Sequence, residues 1–204
     1  MKLTTMTQIT VDGVTQGNGG ASEEDRRKGF DRGGWALGAG DDGTRTFIAQ
    51  FYRRAGAFLF GRRTYELFAG SWGTIAEMRA HPIGVALNST PKYVASATLT
   101  EPRWENTTVL SGDLAAAIRE LKARPGGELQ VHGSSTLIRS LLALDLVDEI
   151  TLLTVPVVLG QGRRLFPDAG PDLALELLDS RVDSKGVTIQ VYRPNGRPKY
   201  PPTR

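Results

Sequence analysis

Leu129-Gln130-Val131-His132-Gly133-Ser134-Ser135-Thr136 is an apolar strand pattern that runs through one glycine directly into a helix. The helix shows itself in Leu137, Ile138, Leu141 and Leu142, which share one face at helical spacing. A strand that feeds a helix through a tight turn is the repeating unit of an α/β sheet.

The same order recurs upstream. Ala57-Phe58-Leu59-Phe60 reads as a short buried strand that stops at Gly61, and Arg62-Arg63-Thr64-Tyr65-Glu66 opens a helix. Thr44 to Ala55 puts Phe47, Ile48, Phe51, Tyr52 and Ala55 on one helical face, and Glu77 to Leu87 is a weaker helix with Pro82 either near its start or breaking it. Asp113 to Arg124 is a helix with Asp113 as its cap, stopped by Pro125-Gly126-Gly127. Leu3 to Val11, Tyr93 to Ala95, Thr108 to Leu110 and Glu149 to Val158 are the remaining strands before the C-terminal region. There, Leu173 to Ser180 and Val187 to Arg193 flank the turn Asp183-Ser184-Lys185-Gly186. The expected fold is α/β: three layers, α/β/α, around a mostly parallel sheet with a C-terminal antiparallel hairpin. Residues 1–193 form one domain, and 194–204 form a loose tail rich in proline and basic residues.

Composition narrows the function. The chain has 204 residues and no cysteine, which excludes thiol nucleophiles, disulfides and thiolate metal sites. Its only histidines are His81 and His132, so a three-histidine metal site is excluded and no metal is expected. The net charge of +3 owes four positives to Arg193, Arg197, Lys199 and Arg204, which leaves the body near neutral and argues against a nucleic-acid partner. No apolar run is long enough for a membrane span, and the polar start is no signal peptide, so a cytoplasmic protein without membrane contact is expected. Ten of the 24 glycines lie between Gly13 and Gly43, a long irregular segment that also carries Trp35.

Ligands of doubly wound sheets bind outside the carboxyl ends of the strands. Three turns read as such ends. Gly61-Arg62-Arg63-Thr64 combines close backbone approach, guanidinium forks and a hydroxyl; it is either an anion site or a solvated helix start. Asn88-Ser89-Thr90-Pro91-Lys92 offers hydroxyls beside a lysine, suited to a ribose phosphate, or is a plain turn. Gly133-Ser134-Ser135 suits a pyrophosphate at a helix start, or is a serine-capped helix. His132, alone at a strand end, reads as structural. No G-x-G-x-x-G, P-loop or G-x-S-x-G pattern is present. Taken in order, the three turns point to one extended ligand with several phosphates.

Five stretches carry a family resemblance: Phe60 to Glu66, Asn88 to Val94, Val131 to Leu137, Leu146-Val147-Asp148-Glu149, and Pro156-Val157-Val158-Leu159-Gly160-Gln161-Gly162. Through them the chain, from Lys2 to Tyr192, resembles the dihydrofolate reductase-like superfamily. Within it the chain is most similar to the reductase domain of the bifunctional riboflavin-biosynthesis deaminase-reductase. The resemblance implies NADPH as cofactor and hydride transfer to a small heterocycle, a pterin or a ribosylaminopyrimidine. It implies that Gly61, Arg62, Arg63 and Thr64 hold cofactor phosphates, that Ser89, Thr90 and Lys92 lie near the adenosine ribose and its 2′-phosphate, and that Gly133, Ser134 and Ser135 cradle the pyrophosphate. Gly160 lies near the nicotinamide, and a homodimer is expected. Asp12 matches the Asp-Gly that follows the first strand and is the candidate for a hydrogen bond to a substrate amine; the other reading is a turn aspartate. Trp35 is the candidate to close over the reacting ring; the other reading is loop packing. Arg163 and Arg164 are read as facing solvent, and Asp148-Glu149 as structural. The helix Arg45 to Ala55 has no acid, which argues against folate reduction proper. The absence of cysteine and of His-x-Glu leaves deamination unsupported. A non-catalytic NADPH-binding or nucleotide-binding module of the same fold is the alternative.

Overall fold

The computed structural model describes residues 1–202, so Arg204 of the expected tail lies outside the described residues. In chain order the elements are β1 (Leu3–Thr10), α1 (Glu23–Arg27), α2 (Asp42–Arg53), β2 (Ala55–Gly61), α3 (Arg62–Ser71), α4 (Ala76–Ala80), α5 (Pro82–Ser89), β3 (Lys92–Ala95), β4 (Thr107–Leu110), α6 (Leu114–Ala123), β5 (Glu128–Val131), α7 (Ser135–Ala143), β6 (Glu149–Val155), β7 (Leu175–Val182) and β8 (Thr188–Pro194). The strands form one eight-stranded sheet in the order β4-β3-β2-β5-β1-β6-β8-β7. It is parallel from β4 to β6, and β8 and β7 join antiparallel.

Central position explains why β2 has no polar alternation. Leu59 faces the layer of α6 and α7 and packs with Leu129, Val131, Ile118 and Leu141. Its neighbours Phe58 and Phe60 face the opposite layer, with Phe51, Tyr65, Leu87 and Trp104. Covered on both faces, such a strand reads as a continuous apolar run. β6 ends at Val155, since Pro156 has no N–H to continue the ladder. Asp148 accepts a hydrogen bond from Leu3 N at 2.7 Å and so ties the start of β6 to that of β1.

The weak helix is broken at Pro82, one of its two readings: α4 and α5 meet at His81, with Pro82 at the first position of the second, where a missing N–H costs nothing. Two expectations need correction. The glycine-rich segment holds the short helix α1, closed by a capping box in which Ser22 and Asp25 serve each other's backbone. The tail is not loose at its root: Asn195 N donates to Ala174 O at 2.8 Å, and the Tyr200 hydroxyl donates to Asp172 at 3.0 Å. Among the described residues, no helix is long and apolar enough to cross a membrane.

Candidate functional site

β2 and β5 are neighbours in the sheet, so their carboxyl ends lie side by side. Gly61 N donates to Gly133 O at 3.1 Å. A Cβ on Gly61 would stand 2.7 Å from Ser134 Oγ, and one on Gly133 would stand 3.0 Å from Thr64 Oγ1. Gly133 also has φ +139°, and a cis peptide joins it to Ser134. Each turn therefore occupies the space a side chain of the other would need. Two helix N-termini open beside this contact. α3 has no side-chain cap, and α7 is capped by Ser134 Oγ, which accepts from Leu137 N at 3.4 Å. The N–H groups of a helix's first turn have no partner within the helix, and the helix dipole favours an anion there. Ser135 completes the group by a 2.7 Å contact with Thr15 of the glycine-rich segment.

The two arginines part company. Arg62 donates through Nε to Glu66 and through Nη1 to Thr98 Oγ1, both at 2.7 Å. Thr98 lies just past the end of β3, in a turn where Ser96 Oγ accepts from the N–H groups of Thr98 and Leu99. A cavity of about 630 Å³ opens beside Arg62 and Thr98, between α3 and residues 98–104, with Tyr65 and Trp104 in its lining. Arg63 turns the other way, onto the buried Asp25 of α1 at 2.7 Å. Asp25 also accepts from Gln16 Nε2 at 2.7 Å and from Ser22 Oγ at 2.7 Å, and Arg163 approaches it at 3.5 Å. Burial pushes this carboxyl up, yet the hydrogen bonds from Ser22, Gln16 and Arg63 outweigh it and hold the pKa down at about 2.

The second expected turn is elsewhere. Asn88 to Lys92 leads from α5 into β3, so it lies at the amino end of a strand, away from Gly61 and Gly133. Ser89 Oγ donates back to Val85 O at 2.9 Å, and Thr90 is the C-cap of α5. Lys92 is fully buried: its Nζ donates to Leu87 O at 2.8 Å and Thr90 O at 2.9 Å, and lies 4.8 Å from the centre of the Trp104 ring. Burial pulls its pKa down to about 8. The expectation that Ser89, Thr90 and Lys92 meet the cofactor is therefore corrected. A helix-to-strand turn and a strand-to-helix turn use the same small polar residues, and only the chain direction tells them apart. The carboxyl end of β3, beside that of β2, is instead followed by Ser96-Ala97-Thr98.

At the ends of β1 and β6, Asp12 is a spacer between segments. Its carboxylate accepts from Thr10 Oγ1 at 2.6 Å, Leu159 N at 3.1 Å and Gly160 N at 2.8 Å. Thr10 above all, with the two backbone N–H groups, holds its pKa near 2 against the small cost of burial. Asp12 thereby anchors Gly160, whose φ is +71°. Trp35 donates its indole N–H to Gln16 O at 2.8 Å and packs on the small cluster of Val14, Phe30 and Leu159, so it holds the glycine-rich segment together. Arg163 and Arg164 do not simply face solvent; the second donates to Asp12 O at 2.8 Å. His132 is structural: it stacks on Tyr52 with ring centroids 4.3 Å apart, and burial lowers its pKa to about 3.

A smaller cavity, about 110 Å³, lies between α2, the ends of β1 and β6 and the glycine-rich segment; Gln8, Thr44, Arg45, Ile48 and Val155 line it. The acids at the start of α2 are committed elsewhere. Asp41 caps the helix by accepting from Thr44 N at 3.1 Å and also takes Ser184 Oγ at 2.8 Å, while the exposed Asp42 pairs with Arg45.

Comparison with known proteins bears on the family and the fold. The family model described as the RibD C-terminal domain matches residues 1–189. The chain is 29% identical over 194 residues to the uncharacterized protein YyaP of Bacillus subtilis, covering 92% of each chain. A putative riboflavin biosynthesis protein from Shewanella sp. PV-4 superposes with a TM-score of 0.73 at 21% identity, over 96% of this chain and 99% of that one. Dihydrofolate reductase from Enterococcus faecalis, solved with NADP(H), superposes with a TM-score of 0.57 at 13% identity, over 95% and 96%. At these identities the two structures share the fold, a dihydrofolate reductase-like one.

Proposed function

We propose, on the premise that the chain belongs to the RibD C-terminal domain family, that it is an NADPH-dependent reductase of a small heterocycle of the pterin or ribosylaminopyrimidine class. The observation that carries this reading is the interlocked pair of turns at Gly61 and Gly133, with two helix N-termini opening beside it. Glycine at both positions lets the turns close on each other with the hydroxyls of Thr64 and Ser134 at their contact, and a pyrophosphate would lie against these hydroxyls and the two helix N-termini. The Arg62–Thr98 pair, at the end of the neighbouring strand β3, suits a ribose 2′-phosphate. When bound, NADPH supplies the hydride from C4 of its nicotinamide. Asp12 holds the Leu159-Gly160 backbone in place for the close approach of that ring. The cavity lined by Gln8, Thr44 and Arg45 takes the acceptor. Its volume is below the roughly 300 Å³ at which drug-sized ligand sites begin, so it takes the heterocycle of the acceptor alone and leaves any ribosyl group outside.

The test is a thermal shift with NADPH and with NADH, followed by nicotinamide oxidation with a panel of pterins and ribosylaminopyrimidines. NADPH raises the melting temperature more than NADH, and Arg62→Ala narrows the difference. Equal shifts in the unaltered protein remove the 2′-phosphate site. The absence of an uncommitted acid beside α2 favours a second reading, a binding module without turnover. NADPH binding with no oxidation by any acceptor selects it.

A further inference from the structure

Gln8 is the polar side chain of the acceptor cavity that keeps a donor free. Side chains alternate along a strand, so Gln8 shares the face of Met6, which packs in the layer of Phe47 and Phe51. There it lines the cavity, with Ile48, Leu153, Val155 and Val187 as apolar walls. The other polar side chains of the lining are committed. Thr44 Oγ1 donates its proton to Asp183 at 2.8 Å. The exposed Arg45 donates through Nη1 to Gly40 O at 2.9 Å and pairs through Nη2 with Asp42.

The polarity of Gln8 is set from outside the cavity. Gly19 N lies 2.8 Å from the Asn18 side chain. A backbone N–H only donates, so the Asn18 atom it meets is Oδ1. Asn18 then turns Nδ2 toward Gln8, 2.9 Å away. An amide NH2 also only donates, so the Gln8 atom it meets is Oε1. Among the described residues no group accepts from Gln8 Nε2. Asn18 is held in turn, its backbone O accepting from Ala36 N at 3.1 Å. One backbone N–H of the glycine-rich segment thus decides, through two amides, that β1 offers the cavity a donor.

We propose that Gln8 selects the acceptor ring by donating from Nε2 to a carbonyl oxygen on it, and that Asn18 is the positioning residue that fixes this polarity. The inference rests on the reading of this cavity as the acceptor's. A ring that turns an amino group toward Gln8 sets donor against donor. Its N–H then stays unpaired among apolar walls, and a buried donor left unpaired costs more than an average hydrogen bond contributes. Rings of the oxo class are therefore taken, and rings with amino groups at the same places are refused.

Two single-ring probes of equal shape test this. Uracil carries two carbonyls, and 1,3-diaminobenzene has amino groups in their places and no ring nitrogen to accept a hydrogen bond. Ligand-detected NMR titration measures both, with the protein alone and with NADPH at saturation. Uracil is expected to bind the unaltered chain more tightly. Gln8→Leu weakens uracil by about tenfold. Asn18→Asp leaves the cavity lining untouched and keeps an acceptor for Gly19 N. It replaces the NH2 by a second oxygen, so Gln8 flips its amide, donates to that oxygen and shows Oε1 to the cavity. The preference then moves toward 1,3-diaminobenzene by about tenfold or more. In the Gln8→Leu background the same change leaves the preference where it is. A circular dichroism melt shows that each variant folds.

The proposal is overturned if neither ring binds, if the unaltered chain does not favour uracil, or if Asn18→Asp leaves the preference unmoved. It is overturned too if Asn18→Asp acts equally without Gln8, since the carboxylate's own charge is then the cause. The NADPH thermal shift is read separately. A chain that favours uracil through Gln8 but ignores NADPH keeps this inference and loses the reductase reading. A chain that binds NADPH without discriminating the rings loses this inference alone.

Discussion

Two hydroxyls on β1 illustrate what a single side chain contributes. Thr5 Oγ1 and Thr7 Oγ1 are buried without a hydrogen-bond partner. A buried polar group left unpaired costs about 1–3 kcal/mol, whereas an apolar group of the same shape costs nothing of the kind. Thr5→Val and Thr7→Val therefore each stabilise the protein, by about 1 kcal/mol. Urea unfolding at constant m-value checks this, and a lower midpoint for both variants would show that the hydroxyls have partners. Asp12 and Asp25 are the opposite case. Asp12 accepts three hydrogen bonds and Asp25 is saturated, and both stay ionised down to a pKa of about 2. Neither is a proton reservoir for chemistry near neutral pH.

The glycine-rich segment is the element in which sequence reasoning saw least. Its glycines predict an irregular chain, and most of it is irregular. The capping box at Ser22 to Asp25, however, needed only a serine followed three residues later by an acid, and that signal was present. The strands and long helices were legible because burial on one or two faces writes a period into the side chains, as in Phe47, Phe51 and Tyr52 of α2. The meeting of Gly61 with Gly133 was legible in kind, since each follows an apolar strand. The register that interlocks them was not, because sheet order brings together residues far apart in the chain. Lys92 was misread because nothing local marks a lysine whose charge is spent on carbonyls at the end of the preceding helix. One buried acid ties the segment to α3 and to the loop after β6, so Asp25→Asn replaces an acceptor of two guanidinium groups by an amide that also donates. Amide hydrogen exchange across residues 16–34 rises in this variant while that of β1, β2 and β5 is kept; unchanged exchange would mean that Trp35 and Phe30 suffice. The segment also loosens in acid. Asp25 titrates at about 2 in the folded protein against the 3.8 usual for a free aspartate, so its contribution is complete above pH 3.8 and is lost as pH falls from there toward 2.

On the scale of the whole molecule, Lys92 couples folding to alkaline pH. Burial brings its pKa in the folded protein down to about 8, from the 10.5 usual for a free lysine. Below pH 8 both states are protonated and the cost of burying the ammonium is complete. Between 8 and 10.5 the unfolded chain binds more protons, so stability rises with pH. Lys92→Met flattens this rise while leaving the rest of the titration in place. Chemical denaturation at pH 7.5 and 10 compares the two, and parallel curves would show that the carbonyls and the Trp104 ring fully offset burial. The sheet has a second consequence at this scale, set by the contact between Gly61 and the Gly133–Ser134 peptide. Neither turn can be altered alone, since each forms the wall against which the other is built. Transplanting a different phosphate-binding loop onto β2 succeeds only if the loop after β5 comes from the same donor. The pair behaves as one heritable unit although about seventy residues of chain separate its halves.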